Sequence, residues 1–408
     1  MENVNTKQSR KLFYFLLSLV LLRPSLDITS QIEFQIHPSL PLMNPNIIIG
    51  GLVFLISLLF YFKNLKNIHA IPLFYPIFLT IGLFLISIFY SVNAFASIRE
   101  FIRFSAIFLL YFLAYWLIEN RKDFYLLLKA IIISYFLPSL VALVQLVFGL
   151  GLPDDFGGFK RIYGTFAHPN PFAFYTFFIV GLTLCLLLSL QQSKKDDQIK
   201  KYFPYFWLFA GLAIFLLFAT YTRSAIACLF IFMAIFGIFK YRKILLMGVL
   251  LFFFAYFFSD VFQERLWEMI TLDPYGSIIW RFRLWRDIIP ISLWQPWFGY
   301  GAGTFTKIVE FYRGFRWGSL DAHNDYLKIF MENGLAGLVA YGWLILGLFS
   351  YLFKIFKKSI DQDKVLTLGI LAISLSLFMI ASVDNVLRGT ALQWNFWILI
   401  AGWFKLKA

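Results

Sequence analysis

The chain has 408 residues, of which 60% are hydrophobic, 21% aromatic and only 14% charged. Soluble domains run closer to half apolar and a quarter charged, so a water-soluble fold could not hide this much apolar surface; the composition predicts an all-α polytopic integral membrane protein. The formal net charge of +14 lies in short basic blocks between apolar runs, a pattern that sets membrane topology and argues against nucleic-acid binding.

A membrane-spanning helix needs about 20 mostly apolar residues. In chain order twelve segments qualify, near 11–29, 44–62, 71–92, 101–119, 124–150, 168–191, 202–220, 224–239, 244–260, 333–354, 365–383 and 390–405. This divides the chain into nine spans over 1–260, a long extramembrane segment over 261–332 and three spans over 333–408. The first span is interrupted by Arg23 and Asp27. It follows Lys7, Arg10 and Lys11 with no small-residue cleavage site after it, so it reads as an uncleaved helix. With the N-terminus inside, one set of connections carries about 20 cations, among them Lys66, Lys194, Lys195, Lys200 and Lys201. The opposite short connections carry about seven, Arg23, Arg99, Arg103, Lys160, Arg161, Arg223 and Arg388. The bias puts both termini in the cytoplasm and residues 261–332 outside.

Several stretches break the apolar pattern. Residues 94–103 have mixed polarity and are expected to lie in the membrane interface. Trp267, Trp280, Trp285, Trp294, Trp297 and Trp317 suggest an aromatic belt on a loop resting against the outer membrane face. Cys185 and Cys228 sit in apolar runs and read as packing residues.

Four polar patches on the outer side could carry chemistry. The first, Arg161-Ile-Tyr-Gly-Thr-Phe-Ala-His-Pro-Asn170, places His168 and Asn170 at the mouth of a span. It reads equally as a helix cap. The second is the hairpin Thr220-Tyr-Thr-Arg-Ser224, whose arginine could reach lipid phosphate or fork onto a substrate phosphate. The third is Arg281-Phe-Arg-Leu-Trp-Arg286, where helical spacing puts Arg281 and Trp285 on one face. It is followed by Gly299-x-Gly301-x-Gly303, which is no dinucleotide fingerprint because no strand precedes it. The fourth is His323-Asn324-Asp325-Tyr326, with Glu332 and Gly334 beyond. His323 lies at the outer end of a span beneath the arginine-rich segment, whereas His37 and His69 are less well placed. Metal-ligand spacing is absent apart from the lone pair Asp154-Asp155, so neither metal nor cofactor is expected.

Arg161-x-x-Gly-Thr-Phe-x-His-Pro-Asn170, Thr-x-x-Arg223-Ser, Arg281-x-x-x-Trp285, Pro296-x-x-Gly-x-Gly301 and His323-Asn-x-Tyr-Leu ahead of Glu332-x-Gly334-x-x-Gly337 occur in this order. Together they resemble the O-antigen ligase / O-antigen polymerase superfamily of the Wzy-C type, over about residues 90–385. The resemblance implies a GT-C-like, metal-independent, inverting glycosyltransferase in the bacterial inner membrane, with its active site on the periplasmic face. The implied donor is an undecaprenyl-diphosphate-linked glycan. The implied acceptor is a lipid A–core sugar hydroxyl for a ligase, a second lipid-linked repeat unit for a polymerase, or Ser and Thr side chains for the protein-modifying branch.

The residue chemistry fits this reading. A diphosphate leaving group needs its charge neutralised, and guanidinium forks match phosphate oxygens. An attacking hydroxyl needs a base, and histidine titrates near neutrality. His323 is therefore the expected base and Arg223, Arg281 and Arg161 the expected diphosphate ligands. Asn324, Asp325 and Tyr326 are expected as support, the first two orienting the imidazole. A transporter is the main rival, but its usual signs, internal repeats and charges at mid-membrane, are missing.

Overall fold

The computed structural model describes residues 6–35, 43–63, 68–153, 159–192, 203–271, 276–316 and 318–408. His37, Lys66, Asp154, Asp155, Lys194, Lys195, Lys200, Lys201 and Trp317 lie outside the described residues. The described chain is almost entirely helical. Sixteen helices are present, α1 (Thr6–Leu26), α2 (Pro45–Lys63), α3 (Phe74–Tyr90), α4 (Ala94–Leu117), α5 (Arg121–Ile133), α6 (Phe136–Phe148), α7 (Pro169–Gln191), α8 (Phe203–Ala219), α9 (Arg223–Phe239), α10 (Arg242–Phe258), α11 (Asp260–Thr271), α12 (Ser277–Ser292), α13 (Phe305–Tyr312), α14 (Asp325–Lys358), α15 (Asp361–Ile380) and α16 (Thr390–Lys407). Two short strands, β1 (Leu152–Pro153) and β2 (Lys160–Arg161), pair antiparallel just before α7.

Seven of these segments are long and apolar enough to cross a membrane, and an eighth if the sharply bent pair α10–α11 counts as one; α3, α8 and α9 are shorter apolar helices. The fold is that of an all-α polytopic membrane protein, as the composition predicts. Residues 94–103, expected to lie apart in the interface, are instead the first turns of the continuous helix α4, capped by the Asn93 side chain, which accepts from the Ala96 N–H. The stretch read as one span over 124–150 is broken at Ser134–Tyr135 into α5 and α6.

The core sits where α4 packs on α2 and α16, and where α7, α9 and α15 meet. Small residues let these helices approach closely: the Cys185 side chain occupies the space above Gly369, and Ile373 packs on Gly181. Cys185 and Cys228 are both free and buried. Arg23 and Asp27, which interrupt the first span, neutralise each other at 3.2 Å where α1 ends, and Arg23 also faces the Trp394 ring at 5.4 Å.

The segment 261–332 holds α11, α12, α13 and the first turns of α14. It has a small core of its own, built from Trp280, Leu284, Ile288, Tyr300, Phe305 and Met331 with their neighbours. Trp280 therefore belongs to this interior and not to an aromatic belt, and Trp285 is half-buried, its indole N–H donating to the Ala322 carbonyl at 2.7 Å. Trp267, Trp294 and Trp297 are exposed as a belt requires.

The glycine run ties this segment to the helices. Tyr300 N–H donates to Met331 O (3.0 Å), Gly301 N–H to Glu332 O (2.8 Å), and Val92 N–H to Tyr300 O (3.1 Å). A Cβ at Gly299 or Gly301 would lie within 2.5 Å of the 331–333 backbone or the Ser91 side chain, so only glycine fits this crossing. Helix α14 starts at Asp325, earlier than the expected span, because its first turns are polar; it kinks at Gly334 (φ 63°) against the Trp297 backbone.

Candidate active site

Six helix ends and their loops converge on one cavity of about 490 Å³. Its wall includes His323, Arg161, Arg223, Arg281, His168 and Asn170, residues drawn from four separate sequence patches. The far ends of the same helices carry a different chemistry. There Arg10 pairs with Asp123 (2.6 Å), and Asp363 accepts from both Arg121 and Lys407.

His323 sits in the left-handed region (φ 43°) immediately before Asn324, the residue that caps α14 by accepting from the Leu327 N–H at 2.9 Å. A positive φ at a non-glycine residue is strained and marks a position held by its surroundings. The imidazole lies edge-on to Trp280, with ring centroids 5.2 Å apart. Its Nδ1 is 3.0 Å from Asp384 Oδ1. Because a carboxylate can only accept, Nδ1 carries the proton and Nε2 is the basic nitrogen.

Asp384 is the residue that the sequence reading missed. It lies in the turn 381–389 between α15 and α16, is 2% exposed, and gathers several partners. Ser224 Oγ donates to its Oδ2 at 2.5 Å and Asn170 Nδ2 at 3.4 Å, while Arg281 Nη2 stands 4.0 Å away. Burial alone would raise this carboxyl, but the hydrogen bond from His323, the charge of Arg281 and the Ser224 hydroxyl hold it well below the usual carboxylate range. The sequence signal was the polar run Ser382-Val-Asp384-Asn385 between two apolar spans.

Asn324 and Asp325 do not play the orienting part expected of them. Asn324 is the helix cap. Asp325 points into the protein, where its Oδ2 accepts from Val386 N–H (2.7 Å) and Leu387 N–H (2.9 Å). Its own N–H donates to Ala381 O at 2.8 Å. Asp325 thus fastens the turn that carries Asp384, and the carboxylate next to the imidazole is a residue 61 positions away. Tyr326 donates to the Phe378 carbonyl (2.6 Å) and is likewise a packing residue.

The arginines are each oriented by the fold. Arg161 donates through Nε to Thr220 O (2.8 Å) and through Nη2 to Asn170 Oδ1 (2.9 Å) and Thr222 Oγ1 (2.8 Å), which joins the first patch to the hairpin. Arg223 forks onto Glu268 (2.9 and 3.2 Å) and also reaches Ser277 Oγ. Arg281 donates to Val383 O (2.9 Å), next to Asp384, and its guanidinium lies 5.7 Å from the Trp280 ring. His168 caps α7, its Nδ1 accepting from Asn170 N–H at 3.2 Å. Among the described residues no three His, Cys, Asp or Glu side chains come together to hold a metal ion.

A titratable histidine held by a buried carboxylate, beside three arginines, is the arrangement expected for displacement of a phosphorylated leaving group. The family model described as O-antigen ligase (Wzy_C) matches residues 208–342. That match bears out the superfamily resemblance read from the motifs. It covers the hairpin, α12, the glycine run and His323, and it stops short of Asp384. It supports an O-antigen ligase- or polymerase-type function in polysaccharide assembly at a membrane. No curated protein matches the chain.

Proposed function

We propose that the chain is an O-antigen ligase-type glycosyltransferase with twelve membrane passes, both termini in the cytoplasm and the cavity at the periplasmic face of the inner membrane. It moves a glycan from undecaprenyl diphosphate to a sugar hydroxyl of lipid A–core. The observation that carries this reading is the convergence of His323, its partner Asp384 and three arginines on one cavity at a single end of the helix bundle.

The chemistry follows from the geometry. The acceptor O–H gives its proton to His323 Nε2 as its oxygen attacks the anomeric carbon. The bond from that carbon to the diphosphate breaks, its electron pair goes to the phosphate oxygen, and undecaprenyl diphosphate leaves. Attack from the face opposite the leaving group inverts the anomeric centre. Asp384 fixes the imidazole tautomer and stabilises the imidazolium that forms. Arg161, Arg223 and Arg281 neutralise the departing diphosphate, so no metal is needed for that task. Glu268 and Asp384 keep two of these guanidinium groups in place before the donor arrives.

The test is a deletion strain complemented with wild type or His323→Ala. Lipid A–core left bare while long glycans accumulate on undecaprenyl diphosphate is the result expected for the deletion and for His323→Ala. A single repeat unit on the core with long chains absent would instead assign a polymerase. Full complementation by a membrane-inserted His323→Ala would remove His323 as the base.

A further inference from the structure

The cavity has a second half that diphosphate binding leaves unused. Past His323 its wall is formed by Asp27 at the end of α1, by Ser319 and Asp321 ahead of the histidine, and by Asn385, Arg388 and Thr390 around the start of α16. Both carboxylates here carry their own guanidinium. Asp27 lies 3.2 Å from Arg23, and Asp321 accepts from Arg388. Arg23 also donates to the Thr390 hydroxyl. This half is charge-compensated, whereas the facing half is lined by Arg161, Arg223 and Arg281.

The two halves therefore suit different groups. A phosphate gains little from a wall whose guanidinium groups are already neutralised. A sugar suits it well, because carboxylate and amide oxygens accept from hydroxyls while guanidinium and amide nitrogens donate to them. Asn385 Oδ1 has no hydrogen-bond partner among the described residues, a buried acceptor that a ligand hydroxyl would satisfy. The wall is also held in place. Gly318 (φ 83°) lies so close to the Trp280 ring that a Cβ would come within 2.4 Å of it, which seats the 318–321 backbone on the indole beside His323.

We infer that Asp321, Asn385, Arg388 and Thr390 form the acceptor subsite, which takes an uncharged, polyhydroxylated sugar and turns its nucleophilic hydroxyl toward His323 Nε2. The inference rests on the glycosyl-transfer reading above and assigns the side of the cavity that the acceptor enters. Donor and acceptor then meet across the His323–Asp384 pair.

The full chain in nanodiscs tests this with two probes, lipid A–core extracted from the deletion strain and undecaprenyl diphosphate, each titrated by intrinsic tryptophan fluorescence. Asp321→Asn and Asn385→Ala should each weaken lipid A–core binding about tenfold, the loss of roughly one good hydrogen bond, and leave undecaprenyl diphosphate binding within about twofold. Retained undecaprenyl diphosphate binding also shows that the variants are folded. Unchanged lipid A–core affinity in both variants, equal weakening of both probes, or no lipid A–core binding by wild type overturns the subsite. Selective weakening in a protein that transfers no glycan would keep the subsite and sink the transferase reading alone.

Discussion

Replacing Asp384 with asparagine changes one oxygen to an amino group and almost nothing in shape. Asp384 Oδ1 takes the His323 Nδ1 proton at 3.0 Å and the Asn385 N–H at 2.8 Å, while Oδ2 takes the Ser224 hydroxyl at 2.5 Å. An amide keeps one acceptor. If its oxygen stays with His323, its amino group faces Asn170 Nδ2 at 3.4 Å and Arg281 at 4.0 Å, donor against donor. If it flips, the imidazole N–H is opposed and the ring loses its fixed tautomer. Either way a charge-assisted hydrogen bond worth roughly 1.5–3 kcal/mol is lost. At the upper end that is about a hundredfold in rate, within the roughly 10²–10⁴-fold that general base catalysis supplies. The expected result for Asp384→Asn is therefore a fall of about a hundredfold or more in kcat, with donor KM changed by less than about threefold. Purified protein in proteoliposomes, with extracted lipid-linked glycan and lipid A–core, gives both constants. The substitution also has a pH signature. The folded Asp384 carboxyl lies below its unfolded value of about 3.9, so its contribution to stability is present above that pH and is lost as pH falls toward the folded value. Wild type should lose thermal stability steeply below about pH 4, and Asp384→Asn should have a flatter profile there. Transfer by Asp384→Asn within about threefold of wild type, alongside an inactive His323→Ala, would refute the claim that this carboxylate holds the base.

Asp325 provides the contrast. Both backbone N–H groups that it receives go to the single atom Oδ2, so Asp325→Asn can keep both bonds and should retain most activity, while Asp325→Ala should lose activity together with several degrees of melting temperature in detergent. Arg281→Lys keeps the charge but not the planar fork that reaches Val383 O and lies beside Trp280; donor kcat/KM should fall at least about tenfold with acceptor KM unchanged. Gly334→Ala would drive a Cβ to 2.3 Å from the Trp297 backbone at a φ of +63°, so the protein should reach the membrane in low yield and elute as aggregate on size exclusion.

How much of the site was legible in the sequence depended on how each residue announced itself. His323, Asn170 and the three arginines stood out as polar groups cut into apolar runs, and burial of polar atoms at a membrane boundary demands partners. The sequence could not say who those partners were. The His323–Asp384 and Arg161–Thr222 contacts join segments 61 positions apart in each case, and no local spacing encodes them. Asp384 was overlooked because its neighbours Ile380, Ala381 and Val383 extend the apolar run of α15 and make the turn look like the frayed end of a span. Asp325 was misjudged for the opposite reason: adjacency to His323 in sequence suggested contact, but α14 begins at that point and the helical rotation turns the carboxylate inward. The glycine run was read as a flexible turn, and it is a close backbone crossing whose demand for glycine comes from residues 91 and 331–333.

The position of Asp384 in the last helical hairpin has a consequence for biogenesis. His323 and the arginines leave the ribosome before α15 and α16 exist, so until the final hairpin is inserted the histidine has no carboxylate and the turn fastened by Asp325 has not been made. At synthesis rates of about 5–20 residues per second the interval is several seconds. During that time the nascent protein can already occupy the membrane beside lipid-linked glycans while holding an incomplete centre, so the order of synthesis itself delays chemistry until the helix bundle has closed.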